Sequence, residues 1–270
     1  MATGATGRDL REIRGAWSGF QRHWYSDPGP DMAPFMSHYW FVARDLLGQP
    51  PYRQLIVPEP NVHLSFVNDS PALVYGVTRG HVLRVLEGAG RVVGVAFRPG
   101  CYRSILQAPV STITDRSVGA QDVFGADVPH RAMAEAADET ELVRVVEEFL
   151  RASLVPPDPT AETVAAIVAR IAAEPDITRV DILADRLGTS VRRLQRSFAE
   201  YVGASPKWVI RCYRLAEVSR RLESGIAFDW ACLAAELGYA DQAHFTRDFR
   251  SMVGEPPTRY AQRYPIRAQT

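Results

Sequence analysis

Leu194-Gln195-Arg196-Ser197-Phe198 followed by Gly203-Ala204-Ser205-Pro206 is answered 51 positions later by Phe245-Thr246-Arg247-Asp248-Phe249 followed by Gly254-Glu255-Pro256-Pro257. Four pairs keep that spacing: Arg196 and Arg247, Phe198 and Phe249, Gly203 and Gly254, Pro206 and Pro257. Upstream of each copy lies a short amphipathic segment ending in Leu-Gly, at Leu187-Gly188 and Leu237-Gly238. A pattern repeated in tandem must fold twice into the same supersecondary unit, and this one reads as helix, tight turn, helix.

The residues around the repeat supply the helix signals. Ala161 to Ala173 is a first helix, stopped at Pro175. Thr178 and Asp181 suit a capping box for a helix whose Val180, Leu183, Ala184 and Leu187 share one face. Gly188 supplies a left-handed exit and Ser190 caps the next helix, which buries Val191, Leu194 and Phe198. Pro206 opens a longer connecting helix through Trp208, Ile210, Leu215, Val218 and Leu222, ended by Gly225. The unit then recurs: Asp229 caps, Gly238 turns, and Asp241 caps a last long helix held by Phe245, Phe249 and Val253.

The front of the chain is different. Val62, Leu64 and Phe66 alternate with more polar neighbours, and Ala72 to Val77, His81 to Leu86 and Arg91 to Phe97 are short β-branched runs between turn residues. Closely spaced short strands point to a sheet or small barrel, with the aromatic segment Phe35 to Trp40 lying under it. Arg98-Pro99-Gly100-Cys101 suits a type II turn. Leu142, Val145, Val146, Phe149 and Leu150 mark a helix from Glu139 to Leu154. Val155-Pro156-Pro157-Asp158-Pro159 cannot be helical and reads as a semi-rigid linker. The expectation is an α+β chain: a mainly β domain with flanking helices at 1–155, a proline-rich linker at 156–159, and an all-α domain at 160–265.

In a helix-turn-helix the second helix turns one face to the major groove. The first copy offers Arg192, Arg193, Gln195 and Arg196 outward, and the second offers Gln242, His244, Thr246 and Arg247, with Arg250 further along. Arginine pairs bidentately with guanine and glutamine with adenine, so these residue types suit base edges and phosphates. The first copy is the more basic and is expected to give more phosphate affinity. Net charge is zero, yet from Thr160 onward 16 Arg and Lys stand against 13 Asp and Glu, so the rear half is mildly basic, which is compatible with nucleic acid.

From about Thr160 to Tyr264 the chain resembles the AraC-type DNA-binding domain. The resemblance rests on Leu183-Ala184, Leu187-Gly188-Thr189-Ser190, Leu194 to Phe198, Gly203 to Pro206, Arg214-Leu215, Leu237 to Phe249, and Gly254 with Pro257. It departs at Trp230, where a smaller aliphatic residue is frequent, and at Val209, where an aromatic is usual. The resemblance implies two helix-turn-helix units joined by a long helix and entering successive major grooves of double-stranded DNA. Arg192, Gln195 and Arg196 match the first reading helix; Gln242, His244 and Arg247 match the second. Gly94-Val95-Ala96-Phe97-Arg98-Pro99-Gly100 and Ile56-Val57-Pro58 resemble, more loosely, the N-terminal domain of one AraC-type subgroup. This implies a regulatory or dimerising front half. The partners implied are DNA, a small-molecule effector, RNA polymerase and a second copy of the chain.

Other classes find little support. No run of about 18 apolar residues exists to span a membrane. Met1 to Gly7 lacks the apolar core of a secretory signal and reads as a frayed tail. Cys101, Cys212 and Cys232 are too scattered for a disulfide framework, which fits a cytoplasmic location. Cys212 and Cys232 are expected as small core residues. Cys101, between Arg98 and Arg103, offers the alternative: a regulator with a thiol activated for redox or alkylation sensing. The six histidines lack metal-ligand spacing, with His63 and His81 read as ordinary strand residues. The aromatics Trp17, Phe20, Trp24, Tyr25, Phe35, Tyr39, Trp40 and Phe41 are assigned to core packing over a pocket. No catalytic or cofactor motif appears, so the chain is read as a transcription regulator and not an enzyme, with no cofactor.

Overall fold

The computed structural model describes residues 16, 18–67, 70–125, 128–129, 133, 136, 138–225 and 227–264. The expected tail Met1 to Gly7, Trp17 and the rear boundary at 265 lie outside them.

The front half is built on β1 (Gln21–Ser26), β2 (Met36–Leu46), β3 (Tyr52–Ile56), β4 (His63–Val67), β5 (Leu73–Tyr75), β6 (Val82–Leu86), β7 (Gly88–Phe97) and β8 (Ser117–Gly119). Six strands form one sheet in the order β1-β2-β7-β4-β5-β8, and β3 pairs with β6 in a second. All pairings are antiparallel. Because side chains alternate along a strand, the register sorts the large sheet into two faces. Tyr39, Phe41, Leu64, Phe66, Val74, Val93, Val95 and Phe97 lie on one and are buried. The helix α3 (Glu139–Arg151) covers this face, with Phe149 edge-on to Phe66 and Glu147 accepting a 3.0 Å bond from the Tyr39 hydroxyl. The short helices α1 (Arg103–Leu106) and α2 (Ala120–Phe124) precede it.

Two expectations change here. Phe35 to Trp40 does not lie under the sheet; most of it enters β2, between β1 and β7. Its two faces are both covered, Tyr39 and Phe41 on the core side and Trp40 over His63 on the other, so the alternation that marks a half-buried strand is missing. The aromatic residues divide accordingly. Tyr39 and Phe41 are core, Trp24 and Phe35 pack against it, Phe20 joins a small cluster with Leu46, Tyr52 and Leu86, and Tyr25 is exposed. The Arg98–Cys101 turn forms as expected, with Gly100 at φ +98° and the Cys101 amide donating to the Arg98 carbonyl at 3.0 Å.

The rear half is helical: α4 (Pro159–Ala173), α5 (Val180–Arg186), α6 (Val191–Tyr201), α7 (Pro206–Ser224), α8 (Trp230–Glu236), α9 (Gln242–Val253) and the short α10 (Pro257–Tyr260). Pro159 opens α4 instead of lying in an extended linker, because Asp158 accepts from the Ala161 amide and a proline is well placed at the first helical position. Thr178 does not cap α5: the N-cap is Arg179 without a side-chain bond, and the Thr178 carbonyl accepts from Arg214. Ser190, Ser205, Asp229 and Asp241 cap α6, α7, α8 and α9. Leu194, Phe198, Leu233, Phe245 and Phe249 are almost fully buried in a core that also takes in front-half residues.

Candidate nucleic-acid interface

Each helix-turn-helix unit is made by the same local chemistry. After α5 and after α8 the chain reverses through Gly188 and Gly238, both with positive φ (59° and 74°). A capping side chain then starts the second helix, Ser190 accepting from the Arg193 amide at 3.2 Å and Asp241 from the His244 amide at 2.6 Å. With Leu194 and Phe198 turned inward, α6 presents Arg192, Arg193, Gln195 and Arg196 to solvent. With Phe245, Phe249, Met252 and Val253 turned inward, α9 presents Gln242, His244, Arg247 and Arg250, while Thr246 is half-buried.

Pairing separates these arginines from most others of the chain. Arg79, Arg98, Arg103, Arg151, Arg170, Arg186, Arg211 and Arg221 all hold carboxylates. Arg192, Arg193, Arg196, Arg247 and Arg250 hold no carboxylate among the described residues. Unpaired guanidinium groups on one exposed helix face keep all their donors available to an acceptor outside the chain.

One comparison of sequence bears on these helices. Residues 183–263 match a helix-turn-helix domain family, and the match spans both turns and both exposed faces. The rear half carries an AraC-type helix-turn-helix domain. That domain class binds DNA in transcription regulators. Residues 26–119 match a domain of unknown function, DUF6597. Comparison with curated proteins found no match. Among solved structures the chain is similar to ToxT from Vibrio cholerae: an apo variant at 15% identity, covering 85% of this chain and 98% of that one with a TM-score of 0.43, and ToxT bound to an unsaturated fatty acid at 12% identity, covering 82% and 94% with a TM-score of 0.41.

The AraC-type domain does not stand apart from the front half. The indole N–H of Trp208, on α7, donates to the Arg79 carbonyl at 2.9 Å, and the buried Cys212 thiol donates to the Pro58 carbonyl at 3.1 Å. Arg103 holds Glu200 of α6 at 2.6 Å, and the Thr114 hydroxyl donates to the Gly203 carbonyl at 2.6 Å. Gly203 and Gly254, the matching C-terminal glycines of the two reading helices, have φ of +83° and +88°. Each is roofed by front-half atoms: a β-carbon on Gly203 would lie 3.0 Å from Thr114 and Val110, and one on Gly254 would lie 2.5 Å from the His81 ring. His81 precedes β6 instead of belonging to it.

The connecting helix also joins the two units to each other. Arg211 and Arg214 of α7 reach α9 and the turn before it: Arg211 holds Asp248 and donates to Ser251 at 3.0 Å, while Arg214 lies over the Tyr239 ring at 5.4 Å. Burial raises the Tyr239 hydroxyl pKa, helped by its 2.7 Å bond to Asp248, and lowers that of Arg214. None of these links is a sequence-predicted site residue.

The thiol alternative fails. Cys101 is fully buried, and burial pushes its pKa up to about 11, outweighing the lowering effect of Arg98. Arg103 is committed to Glu200 instead. Cys212 is buried as expected, but Cys232 is exposed on the solvent side of α8. Among the described residues no group of three or more His, Cys, Asp or Glu could hold a metal, and no helix is long and apolar enough to cross a membrane.

Proposed function

We propose that the chain regulates transcription by sequence-specific binding of double-stranded DNA, with α6 and α9 reading successive major-groove segments. In this reading Arg192, Gln195 and Arg196 meet base edges and phosphates in one segment and Gln242, His244 and Arg247 in the next, with Arg193, Thr246 and Arg250 on the flanking backbone. The observation that carries it is the set of five arginines left without carboxylates on the exposed faces of two helices set by the same turn. Selection from a randomised duplex pool tests it. The expected result is a site with two blocks about 10 base pairs apart, favoured roughly a thousandfold or more over random sequence. Equal affinity for selected and random duplexes would sink it.

Residues 1–155 then serve as the signal-receiving part. Trp40, His63 and Ser65 share the sheet face opposite α3; Trp40 donates to His63 Nδ1 at 3.2 Å, and the buried Ser65 hydroxyl has no partner among the described residues. Aromatic surface beside an unsatisfied polar group suits a small organic effector. A thermal-shift screen of the whole chain against metabolites tests this, and Ser65→Ala should abolish any shift that arises at this face. A second copy of the chain fits the exposed Leu83 and Val85 on β6. Sedimentation of wild type against Val85→Glu reads that association.

A further inference from the structure

A cleft of about 230 Å³ opens where the two helix-turn-helix units meet on the connecting helix. Its walls come from both units: Arg179 at the start of α5, Lys207, Arg211 and Arg214 on α7, and Tyr239 and His244 from the second unit. Of its four permanent cations, Arg179 holds Asp181 at 3.0 Å and Arg211 holds the one lining carboxylate, Asp248, which Tyr239 also bonds, while Lys207 and Arg214 hold no carboxylate among the described residues. Arg214 also lines the cleft, and its Nε is buried with no acceptor among the described residues. A buried donor without an acceptor is rare in folded proteins, and an acceptor from outside the chain would satisfy it. Lys207 is the one lysine of the chain and is exposed at the rim. The volume falls below the roughly 300–1,000 Å³ of small-molecule sites, so the occupant is compact.

We propose that this cleft binds a single DNA backbone phosphate lying between the two major-groove segments. The proposal rests on the DNA-binding reading above and adds to it a contact that belongs to neither reading helix alone. His244 stands both on the exposed face of α9 and on the cleft wall, so the cleft opens beside the surface that faces the duplex. A duplex seated on α6 and α9 at once must carry its intervening backbone past this junction. Phosphate satisfies the Arg214 Nε, meets Lys207 and Arg179 at the rim, and offers no base identity. The contact therefore fixes register and contributes affinity without sequence preference.

The test uses the full chain and a mixed-sequence duplex of about 25 base pairs, followed by fluorescence anisotropy across a salt series. Neutralising one phosphate contact releases about 0.9 counterion, so Lys207→Ala should lower the salt slope by about 0.9 and affinity about fivefold at 0.15 M salt. Lys207→Arg should restore both, Arg179→Gln should act in the same direction, and the loss should be equal on selected and random sequences. Unchanged slope and affinity in the Lys207→Ala, Arg179→Gln double variant, with an unchanged melting temperature, overturns the proposal while leaving the reading helices untouched. Saturable stabilisation of the wild type by inorganic phosphate, combined with that unchanged DNA slope, overturns it in favour of a free-anion site. Failure of the wild-type chain to bind any duplex overturns the DNA-binding reading and this proposal together.

Discussion

In the first helix-turn-helix unit Arg103 grips Glu200 and Thr114 donates to Gly203, and at the start of the connecting helix Trp208 and Cys212 bond to carbonyls of the β half. At the matching glycine of the second unit, Gly254, the β half presents the His81 ring, and α9 is placed from below by Arg211 on Asp248. The second unit is thus positioned largely by the connecting helix. Two segments written in nearly the same residues therefore answer to different neighbours. A signal in the β half reaches α6 through direct hydrogen bonds and α9 through α7. A ligand that favours one arrangement of these contacts would shift the spacing of the reading helices, as differential affinity requires.

The contrast can be broken most forcefully at Trp208. Trp208→Ala removes a buried ring and its bond to Arg79, and should cost about 3–5 kcal/mol of stability in denaturant titration. Its counterpart 51 residues on is Arg259, exposed and 3.4 Å from Glu255, where alanine should cost within about 0.5 kcal/mol. Equal losses would mean the units are supported alike.

On DNA the asymmetry should run through the arginines. Arg196→Ala and Arg247→Ala should each lose about 1–3 kcal/mol, roughly 5- to 150-fold, and relax preference in opposite halves of the site. Adding Arg192→Ala and Arg193→Ala to the first should lower the salt slope further than adding Arg250→Ala to the second. A steeper fall on the second unit reverses the assignment.

A smaller difference separates the two glycines. Alanine at either meets left-handed strain of about 1–2 kcal/mol. Gly203→Ala should cost the more, because the backbone carbonyl of Val110 stands 3.1 Å from the added carbon, whereas at Gly254 a side-chain ring can turn away. Paired melting curves decide it.

The smallest effect is expected at the surface link. Arg103→Gln should cost under about 1 kcal/mol. Its sharper readout is maleimide labelling: exposed Cys232 is open to the reagent throughout, while buried Cys212 reacts only as the β half lifts from α7. Faster Cys212 labelling in the variant supports the tether; an unchanged rate argues that Arg103 holds nothing.

The rear helices were legible because their signals are local. Ser190, Asp229, Asp241, Gly188 and Gly238 each fix one boundary through atoms within a few residues. Thr178 misled because its carbonyl is taken by Arg214, 36 positions away. β2 offers no period of two to read, since Tyr39 and Phe41 fill one of its sides and Trp40 covers the other. The exposed faces of α6 and α9 followed from helical spacing, but their lack of carboxylate partners is a tertiary fact. So is the cleft, whose walls Arg179, Lys207, Arg214 and His244 come from three separate stretches. Nor does the pattern around Cys212 announce that its partner is Pro58, 154 residues earlier.

The seam along α7 has one more consequence, for autonomy. Trp208 and Cys212 are buried, and each bonds to a carbonyl of the β half. A chain cut at Pro156 would keep every capping residue and both reading helices, yet it would turn this indole and thiol toward water beside Val202 and Ala204. Apolar surface bared in that way promotes self-association. The β half is therefore also the solubilising cover of the DNA-binding helices, and the two halves cannot drift apart in sequence without each tracking the other across that seam.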